Sequence, residues 1–303
     1  MLALGIIFGL LAAATQSFAY VFSRAYTHDR PHGFMRLLVF SHIMQGLVCL
    51  PLLPLLWPGD LPPASQWFGW IVAQAVFYLA AQACLFAALK YTQASRISPL
   101  LGIKIAMLAA MTVLWLGDSL TATQWAAVGM AVTAAFVLNY VGGSLPFLAM
   151  LAVLGACLGY SHSDFSIRLS IEKMQPVGPL HAAVFSMAGA YVLCGLLALP
   201  LLPWYGSRRV EPWRAATPYA ATWLGAMVLL YICFATAGLV LGNIVQSSRG
   251  LMSIGLGALL AAKGLVHLED KLPPIVLWRR VGAAALMTAA VALFVIGGEP
   301  WAD

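Results

Sequence analysis

The chain has 303 residues, of which 62% are apolar and only 9% charged, with a mean hydropathy of +0.90. A soluble fold of that composition would have too few polar residues to cover its surface, so a globular aqueous domain is excluded and an integral membrane protein is implied. The formal net charge of +6 is spread over short loops rather than gathered in one run, which reads as membrane topology and not as a nucleic-acid partner.

Ten hydrophobic stretches of about 20 residues, the length that spans hydrocarbon, follow one another along the chain. They cover 2–23, 34–56, 67–90, 97–116, 122–141, 146–168, 179–202, 217–241, 247–266 and 276–297. The first has no charged leading region and carries Gln16 and Tyr20 in place of a cleavage site, so it reads as a spanning helix rather than a signal peptide. The breaks hold turn residues or charge, as at Pro58-Gly59-Asp60, Gly117-Asp118-Ser119 and Ser207-Arg208-Arg209. The weakest break is Lys90 to Arg96. Unpaired backbone is too costly in hydrocarbon and no alternating strand pattern occurs, so the spans are expected to be helices, giving an all-α membrane protein. Lys and Arg concentrate in the loops after spans one, three, seven and nine, which favours both termini outside the cytoplasm. The cysteines Cys49, Cys84, Cys157, Cys194 and Cys233 lie in apolar stretches with no close pair, so neither disulfides nor a metal site is expected.

The chain also repeats itself. At an offset of 153, Trp70/Trp223, Tyr78/Tyr231, Gln93/Gln246, Ser95/Ser248, Arg96/Arg249 and Gly129/Gly282 match. At an offset of 145, so do Gly33/Gly178, Phe40/Phe185, Ser41/Ser186 and Cys49/Cys194. Two homologous units are expected, 1–143 and 144–303. Because five spans is an odd number, the second unit enters the bilayer from the opposite side, producing an inverted repeat; such an architecture suits a transporter with a shared central site.

A Gln-x-Ser-Arg segment opening spans four and nine, and Leu116-Gly117-Asp118 followed by Gln124 and Gly129, resemble the drug/metabolite transporter superfamily, specifically its EamA-like branch. Asp118 stands where that family usually has Glu, Leu268-Glu269-Asp270 lacks the glycine of the second turn, and the proline usual about thirteen residues before the first acid is absent, with Lys104 beside its position. The resemblance implies that spans one to four and six to nine surround a cavity while five and ten buttress it. It also implies cytoplasmic termini, against the charge count, and favours export. The expected setting is the bacterial inner membrane, and the expected state a monomer or homodimer.

Polar residues inside spans are the candidates for handling a solute, because they are expensive there. Trp70, Gln74, Tyr78 and Gln82 recur every four residues along one face of span three, and Trp223, Met227 and Tyr231 repeat this in span eight. Bonding between helices and core filling would account for the same pattern. In span one, Gln16 and Tyr20 share a face, and Gln16-Ser17 aligns with His162-Ser163 of span six, which makes Gln16 and His162 symmetric candidates. Lys104, read as two turns into span four, is placed to attract a substrate anion, or to serve as a structural partner for an acid. Asp164 is the candidate for proton coupling, against the simpler reading that it pairs with Arg168 one turn away. Gly5-x-x-x-Gly9, Gly155-x-x-x-Gly159 and Gly238-x-x-x-Gly242 read as close helix packing. The expected function is secondary transport of a small organic solute, an amino acid or similar metabolite, with no cofactor. A membrane-embedded enzyme or a non-transporting scaffold is the alternative.

Overall fold

A computed structural model describes residues 1–27, 32–89, 100–139, 146–249, 252, 255–256, 259 and 274–297. Among these residues the chain is helical and has no strand. Five helices belong to the first half: α1 (Leu2–Thr27), α2 (Gly33–Leu55), α3 (Ala64–Leu89), α4 (Ile103–Leu116, after a 3₁₀ turn at Leu100–Gly102) and α5 (Ala122–Asn139). The second half holds α6 (Phe147–Lys173), α7 (Pro179–Ala198), α8 (Val210–Ala237), α9 (Leu239–Gln246) and α10 (Pro274–Gly297). Six helices, Leu2–Thr27, Gly33–Leu55, Ala64–Leu85, Phe147–Lys173, Pro179–Tyr205 and Val210–Ala237, are long and apolar enough to cross a membrane, and Ile103–Leu116 and Ala285–Gly297 are shorter apolar helices. The weakest expected break, Lys90 to Arg96, and the second acidic turn at 268–270 lie outside the described residues.

Burial is distributed as hydrocarbon requires. Leu47, Leu114, Phe147 and Trp278 are exposed on the outside, whereas Gln16, His42, Gln45, Gln74, Asn243 and Gln246 are buried. Amides that would face water in a soluble protein turn inward here, because lipid offers them no partner. All five cysteines are free, and four of them are buried.

Of the helix boundaries that differ from the expectation, one bears on the site. The continuous apolar run Cys233 to Val245 carries no charge or turn cluster, so hydropathy carries span eight through to 241. The backbone nevertheless breaks at Gly238, whose φ of 81° lies in the region that favours glycine. Helix α9 therefore starts at Leu239 and its last residue is Gln246. Of the two Gln-x-Ser-Arg copies, the first, at 93–96, lies outside the described residues; in the second, Gln246 ends the short helix α9 and the chain is helical again at Arg249. The turn at the end of α4 follows its sequence signals: Gly117 adopts φ 73° as a helix C-cap. Thr121 and Gln124 then form a reciprocal capping box, with Gln124 N–H donating to Thr121 Oγ1 (3.2 Å) and Thr121 N–H to Gln124 Oε1 (3.0 Å).

The principal helix pairings are α1 with α8, α3 with α6, α2 with α7 and α5 with α10. Each pair joins the two halves. Small residues bring the axes close: a Cβ on Gly5 would stand 2.6 Å from Ala237 Cβ in α8, and one on Gly159 would stand 2.9 Å from Ala81 Cβ in α3. At the α2–α7 crossing Gly46 meets Gly195, where an added Cβ on Gly46 would lie 3.0 Å from both Gly195 Cα and the Tyr191 carbonyl oxygen. Backbone atoms cannot yield as side-chain ends do, so Gly46→Val is expected to cost about 1–3 kcal/mol by overpacking. Thermal unfolding of the detergent-purified chain should show a lowered midpoint for Gly46→Val, while Gly69→Ala, which meets nothing within 4 Å, should leave it unchanged or slightly raised.

Candidate functional site

A cavity of about 100 Å³ lies between the two halves, walled by side chains of α1, α3, α4, α6, α7 and α8, by Gln246 at the end of α9 and by Arg249 just beyond it. Of the residues singled out from the sequence, Gln16, Tyr20, Gln74, Tyr78, Gln82, Lys104, Asp164 and Tyr231 line it. Trp70 and His162 do not. His162 Nδ1–H donates to the Leu158 carbonyl (2.9 Å), and the ring lies beside those of Phe77 (4.9 Å) and Trp115 (5.3 Å). Its neighbour Ser163 takes the cavity face instead, because adjacent helical residues point about 100° apart. The expected meeting of Gln16 with His162 across α1 and α6 therefore does not form; α1 packs on α8, and α6 packs on α3.

The i+4 pattern of α3 places Gln74, Tyr78 and Gln82 on one wall. Gln74 is held from the second half: its amide donates to Ser186 Oγ (3.0 Å) and the Ser186 carbonyl (3.2 Å), and Tyr231 Oη donates to its Oε1 (3.4 Å). Ser163 Oγ donates to the Gln74 carbonyl (3.0 Å), and Gln82 donates to Tyr78 Oη (3.0 Å). Opposite, Trp223 donates to Tyr191 Oη (3.0 Å) and packs edge-on to Tyr20 (6.1 Å) and stacked on Tyr219 (5.7 Å). A polar wall thus faces an aromatic one.

The ionisable residues pair differently from the sequence expectation. Lys104 Nζ lies 2.6 Å from Asp164 Oδ2. The two side chains are 17% and 10% exposed, so solvent screens the pair little. Among the described residues Oδ2 has no hydrogen-bond partner beside that ion-pair contact. The helix proper starts at Ile103, so Lys104 is on the first turn of α4 rather than two turns in, and its ammonium also lies 5.8 Å from the Tyr160 ring centre. Arg168, the partner suggested for Asp164 by the i+4 rule, is engaged elsewhere: Nη1 lies 2.5 Å from Asp118 Oδ2 and Nε 2.6 Å from Glu172 Oε1. Asp118 thus links the first half to α6 of the second. The pair and this cluster are separate.

Residues 3–140 match the profile of the EamA-like transporter family. That segment, a little under half of the chain, is similar to the EamA-like transporters, within the drug/metabolite transporters. No curated protein matches this EamA-like chain significantly in sequence. A solved crystal structure resembles it over 97% of its length and 96% of the other chain, with a TM-score of 0.70 at 14% identity. At that identity the likeness shows the fold alone. Among the described residues no group of three or more His, Cys, Asp or Glu could hold a metal ion.

Sequence reasoning missed Arg249, Gln246, Tyr160, Tyr191 and Ser163 as cavity residues. Arg249 and Gln246 were legible as one arm of the repeated Gln-x-Ser-Arg segment, but residues kept in both halves fit a common frame as well as a symmetric cavity. Because Lys104 and Asp164 share a site of low exposure, removing either charge strands the other. Lys104→Gln and Asp164→Asn are each expected to destabilise the chain by about 3 kcal/mol, and the double substitution by distinctly less than their sum. A double-mutant cycle on thermal unfolding measures this coupling.

Proposed function

We propose that this EamA-like protein is a secondary transporter in which the two five-helix halves form an inverted repeat and move a small organic solute across the membrane by alternating access. The solute is an amino acid or similar metabolite, export is the direction, and the bacterial inner membrane is the setting. The observation that carries this reading is the cavity between the halves, polar on one wall and aromatic on the other, with an ion pair joining α4 of the first half to α6 of the second. The pairing of helices supports the inverted repeat. Exchanging spans one to five with six to ten converts α1–α8 into α6–α3 and returns α2–α7 and α5–α10 to themselves. Such a pattern is what a pseudo-twofold axis in the membrane plane produces, and exchange of the two conformations across that axis supplies inward-open and outward-open states of similar energy.

In this reading Gln16, Tyr20, Gln74, Tyr78, Gln82, Lys104 and Tyr231 handle the solute, while His162 steadies the α3–α6 contact from outside the cavity. Asp164 is the proton-coupling residue. While it is held by Lys104 as a carboxylate the site is closed to protons; separation of α4 from α6 as the cavity opens leaves Asp164 free to be protonated, and re-closure releases the proton. The Arg168–Asp118 contact lies one helical turn, about 5 Å, further along α6 and would have to part on that side as the halves rock.

Reconstitution in liposomes tests the proposal. Counterflow with a panel of amino acids and related acids and amines should show exchange through the wild-type chain; no exchange across the panel sinks the transport reading. Asp164→Asn should keep counterflow, which needs no net driving force, yet lose uptake driven by an imposed pH gradient. Full gradient-driven uptake by Asp164→Asn would rule that carboxylate out as the proton carrier.

A further inference from the structure

The cavity lining carries two cations, Lys104 and Arg249, and one anion, Asp164. Lys104 is neutralised by Asp164 at 2.6 Å, which leaves Arg249 as the uncompensated charge. Among the described residues no carboxylate pairs with it: Asp118 and Glu172 both engage Arg168. Its polar side-chain contact is one long hydrogen bond, Nη1 donating to Gln16 Oε1 at 3.3 Å, and its guanidinium lies 5.8 Å from the centre of the Tyr20 ring. The backbone is anchored independently, with Ser17 Oγ donating to the Arg249 carbonyl oxygen (3.1 Å).

A second unmet donor stands beside it. Gln16 is fully buried, and its Oε1 accepts from both Gln246 Nε2 (3.3 Å) and Arg249 Nη1 (3.3 Å), which fixes which end of the amide is the oxygen. Its Nε2 is then a buried donor with no acceptor. A guanidinium fork and an amide N–H₂ in one corner of a cavity, without an acid between them, have the donor set that a carboxylate satisfies with its two oxygens. No free acid remains on the lining to receive an ammonium, because Asp164 is occupied. Tyr20 and, against it, Trp223 stand beside this corner, and Met227 and Leu230 also line the cavity, which suits an apolar body.

We infer that the Arg249–Gln16 corner is a carboxylate-binding site, and that the solute class is a monocarboxylate with a small apolar body, recognised by its acid group and not by an amine. This rests on the cavity being the solute site of the proposed transporter, and it moves the anion-binding role from Lys104 to Arg249.

Leucine, isocaproate and isopentylamine share one carbon skeleton and differ in bearing both charged groups, the acid alone or the amine alone. Isothermal titration of each into the detergent-purified full-length chain should show isocaproate binding at least tenfold tighter than isopentylamine, with leucine no tighter than isocaproate. Arg249→Gln should weaken isocaproate at least tenfold. Arg249→Lys, which keeps charge without the fork, should still prefer the acid to the amine, and it carries the test should Arg249→Gln not fold. The inference is overturned if isopentylamine binds as tightly as isocaproate, if isocaproate shows no saturable binding to the wild-type chain, or if Arg249→Gln binds it unchanged. Arg249-dependent binding of isocaproate in a chain that shows no counterflow leaves the carboxylate site standing and removes the transport reading, so the two claims fail separately.

Discussion

Charge in a medium that solvates it poorly has to be matched, and the contact between Lys104 and Asp164 is where that constraint shapes this molecule. The two residues lie on helices from different halves, so satisfying either one requires α4 and α6 to approach at the cavity. Once they do, Asp164 is unavailable to Arg168, which reaches instead to Asp118 and Glu172. Among the described residues, Arg249 is left without an acid. The electrostatics of the cavity therefore follow from one pairing: a neutral pair on one side, a single positive charge on the other, and aromatic rings between.

Helix number and membrane character were legible because they depend on length and composition, quantities that a sequence states directly. Starts and stops with charge or turn residues were legible too, as at Gly117, where the backbone needs positive φ, and at Thr121–Gln124, where the capping box closes. The break at Gly238 was not. Apolar residues continue on both sides of it, so the signal is a backbone angle rather than a change of polarity. That single glycine starts the short helix whose last residue, Gln246, lines the cavity together with Arg249.

Site residues divided along a similar line. Periodicity placed Gln74, Tyr78 and Gln82 on one wall because i+4 spacing is a property of one helix. Partners on different helices were out of its reach: the i+4 rule offered Arg168 to Asp164, whereas the tertiary partner lies 60 positions earlier in the chain. His162 fails for a related reason. The repeat aligns it with Gln16, but the neighbouring Ser163 occupies the cavity face. Unequal positions in the two halves remain informative. Gln16 is buried against Arg249, while its counterpart His162 packs on Phe77 and Trp115, so the two aligned positions have different surroundings. A solute without twofold symmetry needs such an imbalance.

The central claim is that one cavity between the halves serves both sides of the membrane. A single-cysteine chain, Ser163→Cys with the five native cysteines replaced, carries its thiol at the cavity lining. In sealed vesicles of either orientation, a membrane-impermeant maleimide added outside is expected to label that thiol from both faces, each at a measurable rate. Labelling confined to one face, with the protein shown to be inserted and folded, contradicts alternating access at this site.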